Sequence, residues 1–533
     1  MSAIAGLMDK RGQRVKPADL GKMSAALAKH GPDGEGVWCK NSAGLLHRQR
    51  RVMPEDDGDA QPVVSPDGRI VLVSAARIDN RPELASELSF ANREAESLPD
   101  SAFVLEAYQR WGADCPGHLI GDFSFALWDD REQWLLLACS PFSGRPLFYH
   151  DSSKCFAFAT MPKGLFALPD ISRSLNEDFL ACSLARLPRP PEATVYRDIK
   201  KLLPGHRMIV QNKDIDARSF WEPDGEREIH YGRDEDYIDA FNDLWTRVVR
   251  DHMRAAGPVG IMLSGGLDSS SIAAVAAPLL QNEGKRLATF TEVPRAGFQL
   301  PASANRYANE TPFVQAIAEM YPSIDLHLVR AEGRHFLQDL APYFHHAETP
   351  FRNACNRLWL EAILREAQGR GIRVLLAGLQ GNLSLSWRGE HTLPHLLRRG
   401  QWSAARREAG HLARNGQAGS PLRALIRQGL LPLLPTPIRD AVAWIKEARG
   451  SHPELKPVLR AEYARQHGMV AQRRRQDAAN APQSALESRR QRLKVMRGAA
   501  SAAAPIFTGY EAMFGVEVRD PTSDVRLVEF CLA

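Results

Sequence analysis

The run Ile261-Met262-Leu263-Ser264-Gly265-Gly266-Leu267-Asp268-Ser269-Ser270-Ser271 constrains the fold of this chain more than any other stretch. An apolar segment ends, two glycines allow a tight bend, three hydroxyls follow, and Ile272 to Leu280 continue as an apolar, alanine-rich helix pattern. A buried strand that feeds a turn opening a helix presents backbone N–H groups and the positive end of the helix dipole to an anion. Phosphate is the expected guest. Asp268 sits inside that turn, where a carboxylate is compatible with phosphate only if a divalent cation such as magnesium lies between them. The GxxxxGK[ST] spacing of the Walker loop does not occur here.

At 533 residues the chain is long enough for two or more domains, each with its own core. It contains no apolar run of membrane-spanning length, and Met1 to Asp9 is too short and too acidic at its end for a leader, so a cytoplasmic protein with no membrane partner is expected. Seven cysteines are scattered singly without a CxxC pair, which signals neither a zinc site nor a disulfide framework; buried thiols are expected. The net charge of +5 is unevenly spread. Between Arg398 and Arg497 there are 21 Lys and Arg against 7 Asp and Glu, which leaves the rest of the chain acidic. That basic segment has few aromatics on which bases could stack, so a solvated basic helical face or a cradle for an acidic or polar peptide is expected rather than a nucleic-acid site.

The N-terminal two-fifths carries short apolar or alternating runs bounded by Asp, Gly and Pro, as antiparallel strands do: Ile70 to Val73, Phe123 to Trp128, Trp134 to Ala138, Cys155 to Thr160 and His206 to Gln211, with a helix at Ala102 to Trp111. Beyond Trp221 the texture changes. Tyr237 to Met253 has helical periodicity, and after the glycine turn strands and helices alternate through Leu287 to Glu292, Pro312 to Met320, Leu326 to Val329, Leu358 to Ala367 and Val374 to Ala377. Such alternation predicts a doubly wound parallel sheet with ligand at the carboxyl ends of its strands. The expected division is 1–221 and 222–533, with a basic helical insertion at about 388–508.

The turn at Ser264 to Ser269 resembles the SGGxDS signature of pyrophosphate-loop ATPases, and the whole chain resembles the asparagine synthetase superfamily. The match is carried by Ser2-Ala3-Ile4-Ala5-Gly6, His30-Gly31-Pro32-Asp33-Gly34 with Gly36, Gly121 to Asp129, Arg145 to Tyr149, and Glu517-Val518-Arg519-Asp520-Pro521 with Asp524. The resemblance implies an α/β protein: a glutaminase-like αββα sandwich of the N-terminal nucleophile hydrolase type, then an ATP-pyrophosphatase domain of the adenine nucleotide alpha hydrolase kind. It also implies ATP and Mg2+. Under it Leu263, Ser264, Gly265, Gly266, Ser269 and Ser270 hold ATP, Gly378 lets backbone approach the nucleotide, and Asp268 binds the metal.

The departures from that family are informative. Its glutaminases expose an N-terminal cysteine, whereas Ser2 stands here and the first cysteine is Cys39; a serine without an adjacent base is a weak nucleophile. The family's Asn-Gly-Glu segment is replaced by Ser74 to Arg77, with Asp79-Asn80 retained. Glutaminase activity is therefore not expected. Two branches of the superfamily with an inactive glutaminase domain close rings, the β-lactam synthetases and the lasso-peptide cyclases. The SGEGSDE loop of asparagine synthetases aligns with Ala377 to Trp387, which has no acid. That loop, with Pro350, Arg352, Asn353, Asn356 and Trp359, is similar to lasso-peptide cyclases.

The resemblance implies a ligase that adenylylates a side-chain carboxylate of a precursor peptide and closes a macrolactam with the peptide's N-terminal amine. Glu348 and Arg352 are candidates for orienting amine and carboxylate, Asp268 is the catalytic metal ligand, and a leader-removing protease and the precursor are the implied partners. His345 and His346 are read as structural or solvent-facing. Two other readings stay open: an amidotransferase using ammonia or glutamine, and a non-catalytic ATP- or peptide-binding protein. The family's last helix continues into a segment with a lysine that stabilises the pyrophosphate; here the pattern begins at Val525 and stops at Ala533, so a further segment is expected.

Overall fold

The structure is a computed structural model that describes residues 2–88, 90, 92–185, 187, 189–298, 307, 309–351, 353–387, 392–435, 437–438, 441, 459–469 and 485–533. Period-two alternation along the strands builds its N-terminal half. In Gly121–Asp129, Phe123, Phe125 and Leu127 face one way, while Ala126 and Trp128 face the other. In the neighbouring Trp134–Cys139, Leu136 and Ala138 join the first set and Leu135, Leu137 and Cys139 the second. A sheet apolar on both faces must be covered twice. One face meets a second sheet; the other meets the helix Asp100–Trp111 through Phe103, Val104 and Ala107.

Each sheet has six strands, all antiparallel to their neighbours. The first centres on Ala3–Asp9 between Cys155–Ala159 and Ala43–Gln49, and the second on Gly121–Asp129 between Trp134–Cys139 and Ile70–Ile78. The helix Pro17–Leu27 closes the outer face of the first sheet with Leu20, Met23 and Leu27. The αββα layering is the expected one.

The second half is a five-stranded sheet with every pair parallel. Its order is Ile324–Val329, Leu287–Glu292, Val259–Met262, Val374–Leu376, Glu517–Arg519. The chain winds outward from Val259–Met262, then returns to its other side. The reversal opens a crevice at the carboxyl ends of Val259–Met262 and Val374–Leu376, where open α/β sheets bind ligand. The segments that leave those two ends are Leu263 to Gly266 and Ala377 to Trp387.

Between these last two strands the chain runs through the basic region, whose described helices include Thr392–Arg398, Trp402–Arg414 and Ala485–Phe514. Ala485–Phe514 packs Tyr510 and Phe514 against Tyr343 and Ile363, and leads into Glu517–Arg519. No helix among the described residues is long and apolar enough to cross a membrane. Of the cysteines, Cys115 and Cys139 are buried, but Cys355 is exposed at the start of the helix Ala354–Gly369, and the other four are half-buried. The expectation of buried thiols holds for two of the seven.

The two halves meet across buried charge. Glu517 accepts from Arg519 Nε at 2.7 Å and from Arg145 of the N-terminal half at 3.4 Å, and all three side chains are buried. Burial alone would raise the carboxyl, but Arg519 and then Arg145 outweigh it and hold Glu517 well below the usual carboxylate range. Removing one partner of such a group leaves an uncompensated buried charge. Glu517→Ala should therefore cost about 3–5 kcal/mol of stability, read as a lowered urea midpoint with the spectrum of the folded state retained. A change within about 0.5 kcal/mol, the usual range of surface substitutions, would show that the seam does not depend on this carboxylate.

Candidate functional site

Val259–Met262 is buried, and Leu263 continues it into the turn. The helix Leu267–Asn282 starts immediately after, with Gly266 in extended conformation as its N-cap. Within the turn, Ser264 and Ser269 hold it closed: Ser264 N–H donates to Ser269 Oγ at 2.9 Å, and Ser269 Oγ donates to Ser264 O at 3.1 Å. Ser270 Oγ donates to Gly266 O at 2.7 Å. The structure thus brings Leu263, Ser264, Gly265, Gly266, Asp268, Ser269 and Ser270 together at one helix N-terminus. Gly265 N–H, one of the groups that would face an anion, donates to a carboxylate oxygen of Glu310 at 3.1 Å.

Asp268 meets the second loop. A Cβ built on Gly381 would stand 2.1 Å from Asp268 Cγ, and one on Gly378 would stand 2.9 Å from Asp268 Cβ. Any side chain at Gly381 would displace the carboxylate. Asp268 Oδ1 is buried with no hydrogen-bond partner among the described residues. A carboxylate oxygen left so costs about 1–3 kcal/mol, and a cation is the group that offsets it. The residues therefore fit a divalent ion at Asp268, beside the phosphate-facing end of the helix.

The second loop is held by hydrogen bonds where its acids are missing. Asp520, just past the last strand, accepts from Gln380 N–H at 2.9 Å and from Thr522 N–H at 3.0 Å, and burial pushes its carboxyl up to about 7. Gln380 Nε2 donates to Met496 O at 3.2 Å, Ser384 Oγ donates to Thr522 O at 2.8 Å, and Arg492 donates to Leu383 O at 2.8 Å while its guanidinium lies 3.9 Å from the centre of the Trp387 ring. The long helix Ala485–Phe514 therefore fixes the loop. Sequence reading left Gly381, Gln380, Asp520 and Glu310 without a role. A second glycine three residues after Gly378, at the end of a buried strand, was the available signal for Gly381; Glu310 had none, because its contact spans 45 residues.

Glu348 caps the helix Leu340–Ala347 in left-handed conformation, and its Oε2 accepts from Lys163 N–H of the N-terminal half at 2.9 Å. Burial pushes its carboxyl up to about 7, against the pull of Lys163. Arg352 lies outside the described residues. His345 is exposed, whereas His346 is half-buried with its ring 6.1 Å from that of buried His30.

In the N-terminal half, Ser2 Oγ accepts from Arg50 N–H at 3.1 Å, and no side-chain base bonds to it among the described residues. Arg77 is buried and donates twice to Asp79, each at 2.9 Å, with His252 Nε2 at 3.1 Å. His252 Nδ1 is 2.9 Å from Val248 O, so Nδ1 carries the proton and Nε2 receives Arg77; burial and then Arg77 push this imidazole down to about 4. Ligand atoms of Asp79, His252 and Asp524 lie within 4.8 Å of one another. Arg77 and Arg526 already neutralise the two carboxylates, so this cluster is an ion-pair web and not a metal site. Beside it, a cavity of about 300 Å³ runs between Arg77 and Asp122 of one half and Leu379, Gln380 and Phe507 of the other.

Comparison with known proteins matches two family models. Residues 1–221 match the glutamine amidotransferase domain, and residues 240–533, more than half of the chain, match asparagine synthase. The chain is 27% identical to asparagine synthetase [glutamine-hydrolyzing] 3 of Bacillus subtilis, over 60% of this chain and 53% of that protein. It is 26% identical to amidase chry2 of Gibberella zeae, over 66% and 52% respectively. The chain thus spans about half the length of these relatives. A solved structure, the allosteric regulatory enzyme of purine biosynthesis, matches at 12% identity over 61% of this chain and 80% of its own, with a TM-score of 0.31.

Two measurements test the geometry. Gly381→Ala should weaken ATP–Mg2+ binding by at least about tenfold in calorimetry, the scale of one lost charge-assisted contact, and Asp268→Asn should weaken the magnesium dependence alone; unchanged affinity in Gly381→Ala would separate Asp268 from the nucleotide. Glu348 keeps its proton in the folded state to about pH 7 and releases it near pH 4.5 when unfolded, so its contribution to stability falls as pH rises across that window. Glu348→Gln, which mimics the protonated form, should gain on the wild type between pH 5 and pH 8 in urea midpoints. A constant difference would remove the carboxyl from the seam's pH response.

Proposed function

This chain belongs to the asparagine synthase family, and we propose that it is an ATP-dependent carbon–nitrogen ligase that closes a macrolactam ring in a peptide. The observation that carries this reading is the combined state of two sites. The glycine turn, with Asp268 unpartnered beside it, keeps what ATP and magnesium need, while the N-terminal nucleophile position has lost what glutamine hydrolysis needs. If glutamine does not supply ammonia, the nucleophile is an amine that arrives with the substrate.

In this reading the turn from Ser264 to Ser270 grips the pyrophosphate end of ATP, and Asp268 would hold a Mg2+ ion, which when bound would neutralise phosphate charge. A side-chain carboxylate of Asp or Glu attacks the α-phosphorus, the bond to the β-phosphate oxygen breaks, and pyrophosphate leaves. The peptide's N-terminal amine then attacks the acyl carbon, loses a proton, and AMP departs as the isopeptide bond forms. Water must be kept from the acyl-adenylate, and holding both reacting groups in one molecule makes the attack effectively unimolecular. The second loop supports this, because a loop without acids, locked by Asp520 and Arg492, lacks the charged side chains that would read free aspartate. Glu348 and Arg352 are proposed to orient amine and carboxylate. The precursor peptide and a leader-removing protease are the proposed partners, in the cytoplasm.

A second reading is an amidotransferase that delivers ammonia to an activated carboxylate. The seam cavity favours it, since a small nucleophile entering there would arrive at Leu379 and Gln380 beside the ATP turn. Mass spectrometry of a linear core peptide incubated with the protein, ATP and magnesium separates the two. Loss of one water that requires ATP and disappears in Asp268→Ala is the expected outcome. An amide formed only when ammonia is added, with no cyclised product, would replace ring closure with amidation.

A further inference from the structure

We propose that the outward face of the helical segment Pro421–Leu430 is a docking surface for an acidic, amphipathic peptide helix. The segment is one α-helical turn, Pro421–Ala424, continued by a π-helical stretch, Leu425–Leu430. Its inner face is anchored. Ala424 packs with Leu393, Leu397, Ala405 and Ala409, and Gly429 lies so close to Leu397 that a Cβ there would stand 2.8 Å from Leu397 Cδ1. Its outer face carries a row of large apolar side chains four residues apart: Leu422, Ile426 and Leu430 are 67%, 50% and 46% exposed. An apolar row on the outside of a helix whose core needs are already met points to a partner. Wide π turns also recur at functional positions.

The charge beside the row selects the partner. Arg423 and Arg427 are exposed one residue along from Leu422 and Ile426, so positive charge flanks the apolar row. Between residues 392 and 438 there are seven arginines and a single acid, Glu408. A helix that presents leucine-type residues at i and i+4 with glutamates or aspartates along their flanks complements both features. A bilayer surface fits less well. The segment is clamped by its inner face and offers three apolar side chains, whereas an interfacial helix sinks its whole apolar face among the headgroups. The inference goes beyond the ring-closing reading without depending on it.

The test is fluorescence anisotropy without ATP, using the whole protein and a labelled synthetic helix built from leucine and glutamate, against a scrambled peptide of the same composition. The wild type is expected to bind the helix more tightly than the scramble and to lose affinity as salt rises. Ile426→Asp should weaken binding by about tenfold or more, the loss usual for a central anchor. Arg423→Glu combined with Arg427→Glu should weaken it and flatten the salt dependence; these exposed positions keep the test open if Ile426→Asp fails to fold. Equal binding of helix and scramble, or binding untouched by either change, would overturn the proposal. So would binding of phosphatidylglycerol vesicles but not the peptide, which would assign the face to a membrane, or self-association abolished by Ile426→Asp, which would assign it to a second copy of this chain.

Discussion

One buried carboxylate sets how everything else is arranged. Glu517 lies between Arg145, from the N-terminal sandwich, and Arg519, on its own strand, and none of the three has water to fall back on. Opposite charges buried in this way are tolerated only while each keeps its partners, so the two halves are held in the one orientation that pairs them. Arg519 extends the constraint by donating to His252 O at 2.9 Å and to Arg254 O at 2.6 Å, at the end of the helix that precedes the strand Val259–Met262. One residue further, Asp520 accepts the Gln380 N–H. A strand of three residues thus connects the sandwich, the helix before the first parallel strand, and the loop after the fourth.

That connection explains how the second loop keeps its place after losing its acids. A loop that binds metal is ordered in part by the metal. Here the ordering comes from neutral hydrogen bonds to Asp520 and Thr522 and from the long helix, which supplies Met496 O to Gln380 and Arg492 to Leu383 O and Trp387. Gly378 and Gly381 are the one feature of the loop that still faces Asp268 closely. The loop acts as a wall for the Asp268 carboxylate.

What was legible in the sequence was local. Ile261 to Ser271 could be read as strand, turn and helix because hydrophobic run, glycines and hydroxyls follow one another within a dozen residues, and His206–Gln211 and Leu287–Glu292 fall where their apolar runs end. Strands with weak local signals were not read. Gly34–Lys40 is glycine-containing and half-exposed, and Asp214–Ser219 is almost wholly exposed; each is a strand because a neighbour supplies its ladder. The long helix was obscured by Gly498 and Pro505, which local propensity counts against a helix and which tertiary packing through Tyr510 and Phe514 overrides. At the site the same division holds. Asp268 was visible from its own turn, but its close neighbour Gly381 and the Glu310 carboxylate on Gly265 come from other elements, and no local pattern joins them.

Arg77 ties the N-terminal sandwich into the seam through buried charge. Its guanidinium grips Asp79 with two bonds and leans on a neutral His252. These bonds make Arg77 part of the seam's ion-pair web. Once Arg77 is buried, Asp79 cannot be lost without stranding it, and His252 must stay uncharged to sit beside it. The web therefore resists reversion one residue at a time. The sandwich holds the seam, along which Glu511 of the long helix lies 3.6 Å from Arg50 and Glu348 meets Lys163. The Arg50–Glu511 pair holds the long helix against the sandwich, and through that helix Met496 O and Arg492 hold the loop that faces Asp268.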